Sequence, residues 1–131
     1  MSQHTTEFLT AWHNAISNND INLLRDWVAE DAQLLSPAFY GPKQGREMVL
    51  LILSTVARVF DDFTYSKEWT DGNELILEFT ATVNDKKLKG IDRITLNDDG
   101  KMSEIEVLVR PLNSLMELAQ EMGKQLGLAT G

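Results

Sequence analysis

The chain contains no cysteine, only three prolines and only two histidines. Without cysteine there are no disulfides, no thiolate nucleophile and no thiolate ligand for a metal. The histidines, His4 and His13, belong to no zinc-type ligand pattern. Neither a metal nor a cofactor is expected. Positive charge is also scarce, with 12 basic residues against 20 acids and a formal net charge of −8. Nucleic-acid binding draws its affinity from neutralised phosphates, so neither nucleic acid nor an anionic membrane suits this chain as a partner. Its one basic cluster, Lys86-Lys87-Leu88-Lys89, reads as a solvated turn. The longest apolar run, Met48 to Leu53, is far too short to span a bilayer. The start, Met-Ser-Gln-His-Thr-Thr, lacks the basic flank and apolar stretch of a secretion signal, which leads to the expectation of a cytoplasmic protein. Gly41-Pro42-Lys43-Gln44-Gly45 has neither the spacing nor the ending of a phosphate-binding loop.

What is present is an ordinary globular pattern over 131 residues, 43% of them hydrophobic. That length suits one domain, residues 1–131. Helical spacing puts Phe8, Leu9, Trp12, Ala15 and Ile16 on one stripe between Thr5 and Asn18. Asn18-Asn19-Asp20 breaks this helix, and Asp20 can cap a second, running to about Ala29 and burying Leu23, Leu24, Trp27 and Val28. A short strand, Ala32 to Ser36, ends at Pro37, and the loop Phe39-Tyr40-Gly41-Pro42 follows. Gln44 to Phe60 reads as a helix apolar almost all round, and therefore packed on more than one side. Strands are expected over Phe63–Thr70, Glu74–Val83, Lys87–Leu96 and Lys101–Arg110, separated by turn residues. A last helix, Leu112 to Leu126, carries Leu112, Leu115, Met116, Ala119, Met122 and Leu126 on one stripe. The order ααβαββββα predicts an α+β fold: a cone-shaped, highly curved antiparallel sheet with helices on its concave face, a cystatin-like α+β roll. A sheet of this kind cannot close around its helices, and the gap is a natural cleft for a small molecule.

One acid breaks the pattern. Along Lys87–Leu96, side chains alternate between faces, so Leu88, Gly90, Asp92, Ile94 and Leu96 share the inner one. Lys89, Ile91, Arg93 and Thr95 share the other. Asp92 thus points among leucines and isoleucines, where an ionised carboxylate is costly unless paired, hydrogen-bonded or protonated. It is either a structural acid satisfied by a tryptophan or backbone N–H, or an acid lining a pocket. In either case desolvation is expected to raise its pKa.

The element order, with Asn18-Asn19-Asp20 between the first helices, Glu30-Asp31-Ala32 entering the first strand and Asn97-Asp98-Asp99-Gly100-Lys101-Met102 in the last hairpin, resembles the nuclear-transport-factor-2-like superfamily. That superfamily includes SnoaL-like cyclases and ketosteroid isomerases, and the resemblance covers nearly the whole chain. It implies that Asp92 stands where the isomerases keep a protonated acid that donates a hydrogen bond to the substrate oxygen. It also implies that Trp12 replaces a hydrogen-bonding tyrosine, Ser36 before Pro37 replaces the general-base aspartate, and Leu53 replaces a supporting tyrosine. A serine hydroxyl is too weak a base to remove a carbon-bound proton, and no His or Lys lies beside it in sequence. Steroid isomerisation is therefore not expected, because fold does not fix function.

Three readings stay open: a small-molecule-binding domain, an isomerase-, cyclase- or hydrolase-type enzyme using Asp92 on a small apolar substrate, and a non-catalytic dimeric interaction module whose interior is dry and closed. The expected cleft is bounded by Trp12, Ser36, Tyr40, Ile52, Val56, Asp92, Val107 and Val109. The indole N–H of Trp12 and the Asp92 carboxyl would orient a small, largely apolar molecule there. Asp92 is the one candidate catalytic residue. The other aromatics, Trp27, Phe39, Phe63, Tyr65 and Trp69, read as core, and His13 as packing on the helix flank. On the last strand Glu104, Glu106, Leu108 and Arg110 face outward, as do Ile76 and Ile91 on theirs. This mix of branched apolar side chains and both charge signs suits a two-fold homodimer through the outer face of the sheet.

Overall fold

The computed structural model describes residues 3–127, so the outer ends of the 1–131 span lie outside it. Helix α1 (Gln3–Ser17) buries Phe8, Leu9, Trp12 and Ala15, the stripe that the 3.6-residue period predicts. The turn after it passes through Asn19 at φ 51°, a left-handed conformation that asparagine tolerates. Asp20 then caps the next element, its side chain accepting from the Asn22 N–H. That element is a 3₁₀ helix, Ile21–Trp27, rather than the longer α-helix expected through Ala29. Val28 and Ala29 instead open strand β1 (Val28–Leu35), where Val28 pairs with Met102 and both side chains are buried. Sheet pairing overrides local helical spacing at this point, and Leu23 is left half exposed.

A two-residue strand, β2 (Lys43–Gln44), pairs antiparallel with β1 and was not anticipated. It leads into α2 (Arg46–Val59). This helix buries Val49, Leu50, Leu53 and Thr55 but leaves Met48 and Leu51 exposed. It is covered less fully than its all-round apolar sequence suggests. Strands β3 (Asp61–Asp71), β4 (Glu74–Val83), β5 (Lys86–Leu96) and β6 (Met102–Arg110) form an antiparallel meander, and α3 (Leu112–Leu126) closes the chain. The β4–β5 turn uses Asn84 and Asp85, both at positive φ, as a two-residue hairpin requires.

The strand order is β2-β1-β6-β5-β4-β3. The expected antiparallel pattern holds except between β1 and β6, which run parallel. The chain can return to β6 in this sense because α2 and three strands intervene. The sheet is curved and does not close, with β2 and β3 at its edges. Register shifts in β1 and β3 supply local bends of the kind that curve a sheet. Helices α2 and α3 pack on each other; α2 also covers β1, and α3 covers β4, β5 and β6.

One glycine is needed for the interior to fit. Gly90 on β5 lies opposite Phe79 on β4, and a Cβ there would stand 2.6 Å from the Phe79 ring and 2.5 Å from the Leu108 carbonyl oxygen. Such overpacking typically costs about 1–3 kcal/mol. The missing side chain leaves room for the Phe79 ring beside Gly90, and the ring stacks with Phe63 of β3 at a centroid distance of 5.1 Å. The aromatic block of Phe60, Phe63, Tyr65 and Phe79 therefore forms one wall of the interior.

Candidate functional site

Asp92 lies in the middle of β5, opposite Leu77 on β4 and Val107 on β6. The strand alternation turns it inward, and it is 7% exposed. The Tyr65 hydroxyl, from β3, donates to Asp92 Oδ2 at 3.2 Å. The Trp12 indole N–H, from α1, donates to the Tyr65 oxygen at 2.7 Å. The three groups form a directed chain. Trp12 can only donate, Tyr65 accepts and passes on its own proton, and Asp92 receives it. Burial first, and then the nearby Asp92 charge, hold the Tyr65 phenol well above its ordinary pKa, so it stays protonated and able to donate. Burial raises the Asp92 carboxyl to about 7, and the Tyr65 hydrogen bond, which favours the ionised form, offsets only part of that rise.

This chain of groups forms part of the wall of a cavity of about 240 Å³. The wall is otherwise apolar over most of its extent. Ala15 and Ile16 of α1, Ile52 and Val56 of α2, Phe63, Phe79 and Val107 of the sheet, and Leu118 and Met122 of α3 line it. Typical drug-sized pockets run from about 300 to 1,000 Å³, so this cavity suits a ligand at or below their lower end. Ser36, Asn19 and Lys43 are the remaining polar residues on the lining. Ser36 Oγ accepts the Ala38 N–H at 3.0 Å, which ties its oxygen into the turn after β1.

Of the residues expected to bound the cleft, Trp12, Ser36, Ile52, Val56, Asp92 and Val107 do line the cavity. Two do not. Tyr40 projects from its loop with a relative exposure of 103% and borders a shallow outer groove with Pro42 and Glu106. The loop reaches past the cavity, so its tip meets solvent. Val109, one inward position beyond Val107, packs against the second core cluster, which includes Phe79 and Leu88, and is not on the lining. Trp12 also has a different role from the one expected. Its N–H is committed to Tyr65, so it supports the acid and does not face a ligand as a free donor.

Tyr65 is the functional residue that strand periodicity alone passed over. The usable signal was one of mutual need: a buried tyrosine hydroxyl requires a partner, and so does a buried carboxyl. Leu53, expected from the resemblance to replace a supporting tyrosine, lines the cavity from α2, and Tyr65 of β3 brings a hydroxyl to Asp92. His13 sits on the α1 flank, paired with Glu68 and edge-on to the Tyr65 ring at 5.9 Å. Among the described residues, no three His, Asp or Glu side chains converge as a metal site would need.

Residues 9–105 match the SnoaL-like domain family. A steroid delta-isomerase from Pseudomonas aeruginosa has the same fold, with a TM-score of 0.94 and 38% identity over 97% of this chain and 94% of its own. A protein with a cystatin-like fold from Silicibacter pomeroyi follows at a TM-score of 0.89 and 28% identity, over 95% of this chain and 89% of its own. A nuclear-transport-factor-2-like protein from Mesorhizobium loti, 16% identical, shares the fold with a TM-score of 0.74, over 84% of this chain and 93% of its own. Among curated proteins, none matches the chain.

The raised carboxyl makes a stability prediction. A carboxyl with a folded pKa near 7 and an unfolded pKa near 4 favours the fold while protonated. Stability is therefore lost as pH rises between those values. Urea unfolding of wild type and Asp92→Asn at pH 5.5 and 8 isolates the effect. Asp92→Asn should gain on the order of 1–2 kcal/mol relative to wild type across that interval. A gap that stays constant, or a variant clearly less stable at pH 8, would mean a buried carboxylate that is ionised and fully paired.

Proposed function

Because the chain belongs to the SnoaL-like domain family, within the nuclear-transport-factor-2-like superfamily, we propose that it binds a small, largely apolar molecule in the cavity, with a polar group of that molecule against the Asp92 carboxyl. The observation that carries this reading is the contrast within the wall: an apolar enclosure interrupted by one buried, hydrogen-bonded acid. Apolar burial supplies affinity, and the single polar contact fixes orientation. With its pKa near 7, the carboxyl can donate to a ligand carbonyl when protonated, or accept from a hydroxyl when ionised. The presence of a cavity weighs against an interaction module whose interior is filled by its own side chains.

A second reading is favoured by the same carboxyl. A group titrating near neutrality is matched to general acid–base work, so Asp92 could pass a proton to or from a bound substrate. The likeness to a steroid delta-isomerase points in this direction. Two features oppose that particular reaction. Ser36 replaces the expected base, its oxygen already accepts a backbone N–H, and the cavity is small for four fused rings. A ketosteroid should therefore not be isomerised by the wild-type protein. Strong turnover abolished by Asp92→Ala would reverse this conclusion.

Binding itself is tested with 2-naphthol, an apolar probe with one hydroxyl, followed by fluorescence titration. At about 0.5 kcal/mol per heavy atom, its dissociation constant should be on the order of 10⁻⁴ M. Val56→Trp, confirmed as folded by circular dichroism, should fill the cavity and abolish binding. Equal binding by that variant would place the probe elsewhere and remove the support for a cavity ligand.

The homodimer belongs to the same proposal. The outer face of the sheet carries Leu108 and Trp69, each more than two-fifths exposed, with Ile76 and Ile91 half buried beside them. Lys89–Glu78 and Arg93–Glu74 ion pairs cross the same face, and Arg110 stands exposed at its end. Both charge signs next to branched apolar groups suit a self-complementary contact. Sedimentation should show a dimer at micromolar concentration, and a monomer at high micromolar concentration would overturn it.

A further inference from the structure

Lys43 is a cation on the wrong face for a surface lysine. In β2 it pairs directly with Leu34 of β1, and directly paired residues of antiparallel strands share a face. Leu34 is buried at 2% exposure, on the inner side with its own neighbour in register, Ile105. The Lys43 side chain is therefore aimed inward, lines the cavity and is half buried. In a chain of net charge −8, among the described residues no carboxylate lies within ion-pair distance of it. The ammonium lies over the Phe39 ring, 5.3 Å from its centroid. That contact accounts for its direction, but it leaves the charge without a counter-ion beside an apolar wall.

We propose that Lys43 forms an anion subsite at the open edge of the cavity, so that the natural ligand is an apolar molecule with a carboxylate at one end and a hydrogen-bonding oxygen at the other. This rests on the cavity reading above and specifies the chemistry of its ligand. Asp92 on β5 and Lys43 on β2 are three strand steps apart, with β6 and β1 between them. At about 4.8 Å per step this is roughly 14 Å across the strands. Lys43 is in register with Ile105, two residues along β6 from Val107, so the backbone separation is roughly 16 Å, which inward side chains on a curved sheet shorten. A two-ring or medium-chain acid fits that span. The subsite suits a monoanion. One lysine without a partnering arginine gives a dianionic phosphate too little compensation in so acidic a chain. Because Lys43 is only half buried, the carboxylate would stay near water and escape full desolvation.

The test is a matched pair of probes, 2-naphthol and 6-hydroxy-2-naphthoate, which differ only by a carboxylate at the far end of the ring system. Dissociation constants are measured at low salt for wild type, Lys43→Gln and Lys43→Arg. Wild type should prefer the carboxylate probe by roughly fivefold or more, as expected of a pair between exposed and buried in strength. Lys43→Gln should erase that preference by weakening the acid selectively relative to 2-naphthol, and Lys43→Arg should retain it. Rising ionic strength should weaken the preference and spare 2-naphthol. Binding of 2-naphthol with no preference for the acid in wild type, or a preference that survives Lys43→Gln, overturns the anion subsite alone. Failure of both probes to bind overturns the cavity reading and this inference with it.

Discussion

A buried carboxyl must be satisfied or neutralised, and the arrangement around Asp92 does some of each. Tyr65 donates one hydrogen bond, which is too little to hold a fully desolvated carboxylate, so the group settles near neutrality in its titration. Tyr65 is in turn held by Trp12, whose indole N–H would otherwise be buried without an acceptor. Three elements distant in sequence, α1, β3 and β5, are tied together by these two hydrogen bonds. These bonds join the first helix to the sheet at Asp92, alongside the apolar stripe that α1 buries in the core.

The cavity follows from the same architecture. A curved, unclosed sheet and the helices packed on it leave a cavity between them. Gly90 makes room for the Phe79 ring, and the aromatic block built on it forms one wall. Helix α3 packs Leu118 and Met122 against the same cluster as Phe79 and adds them to the lining. The outcome is an apolar space with an acid in its wall and, at the sheet edge, an inward lysine. Such a space has the means to bind and to orient a ligand. The Asp92 carboxyl, raised to about 7, is suited to exchange a proton there, and the Ser36 oxygen is already engaged by the Ala38 N–H.

Much of this was legible in the sequence because period-2 and period-3.6 patterns act locally. The inward parity of Asp92, the stripe of α1 and the β4–β5–β6 meander can each be read from neighbours alone. The features that escaped depend on pairing between distant segments. Val28 and Ala29 look helical until Met102 offers a ladder partner. Lys43 looks like a loop lysine until its pairing with Leu34 assigns it a face. Tyr65 looks like core until Asp92 and Trp12 converge on its hydroxyl. Tyr40 failed for the opposite reason: an aromatic on a loop has no register to aim it, and this one faces solvent.

Burial holds Asp92 at the edge of ionisation against the pull of a single tyrosine hydrogen bond. The most direct measurement is the pH titration of the Asp92 carboxyl carbon by NMR in protein labelled at aspartate, in wild type and in Tyr65→Phe. The wild-type midpoint should fall near 7, and removal of the Tyr65 hydroxyl, which favours the ionised form, should move it higher. A midpoint in the ordinary aspartate range near 4 would contradict the account, because the acid would then be stabilised as a carboxylate by partners the structure does not show.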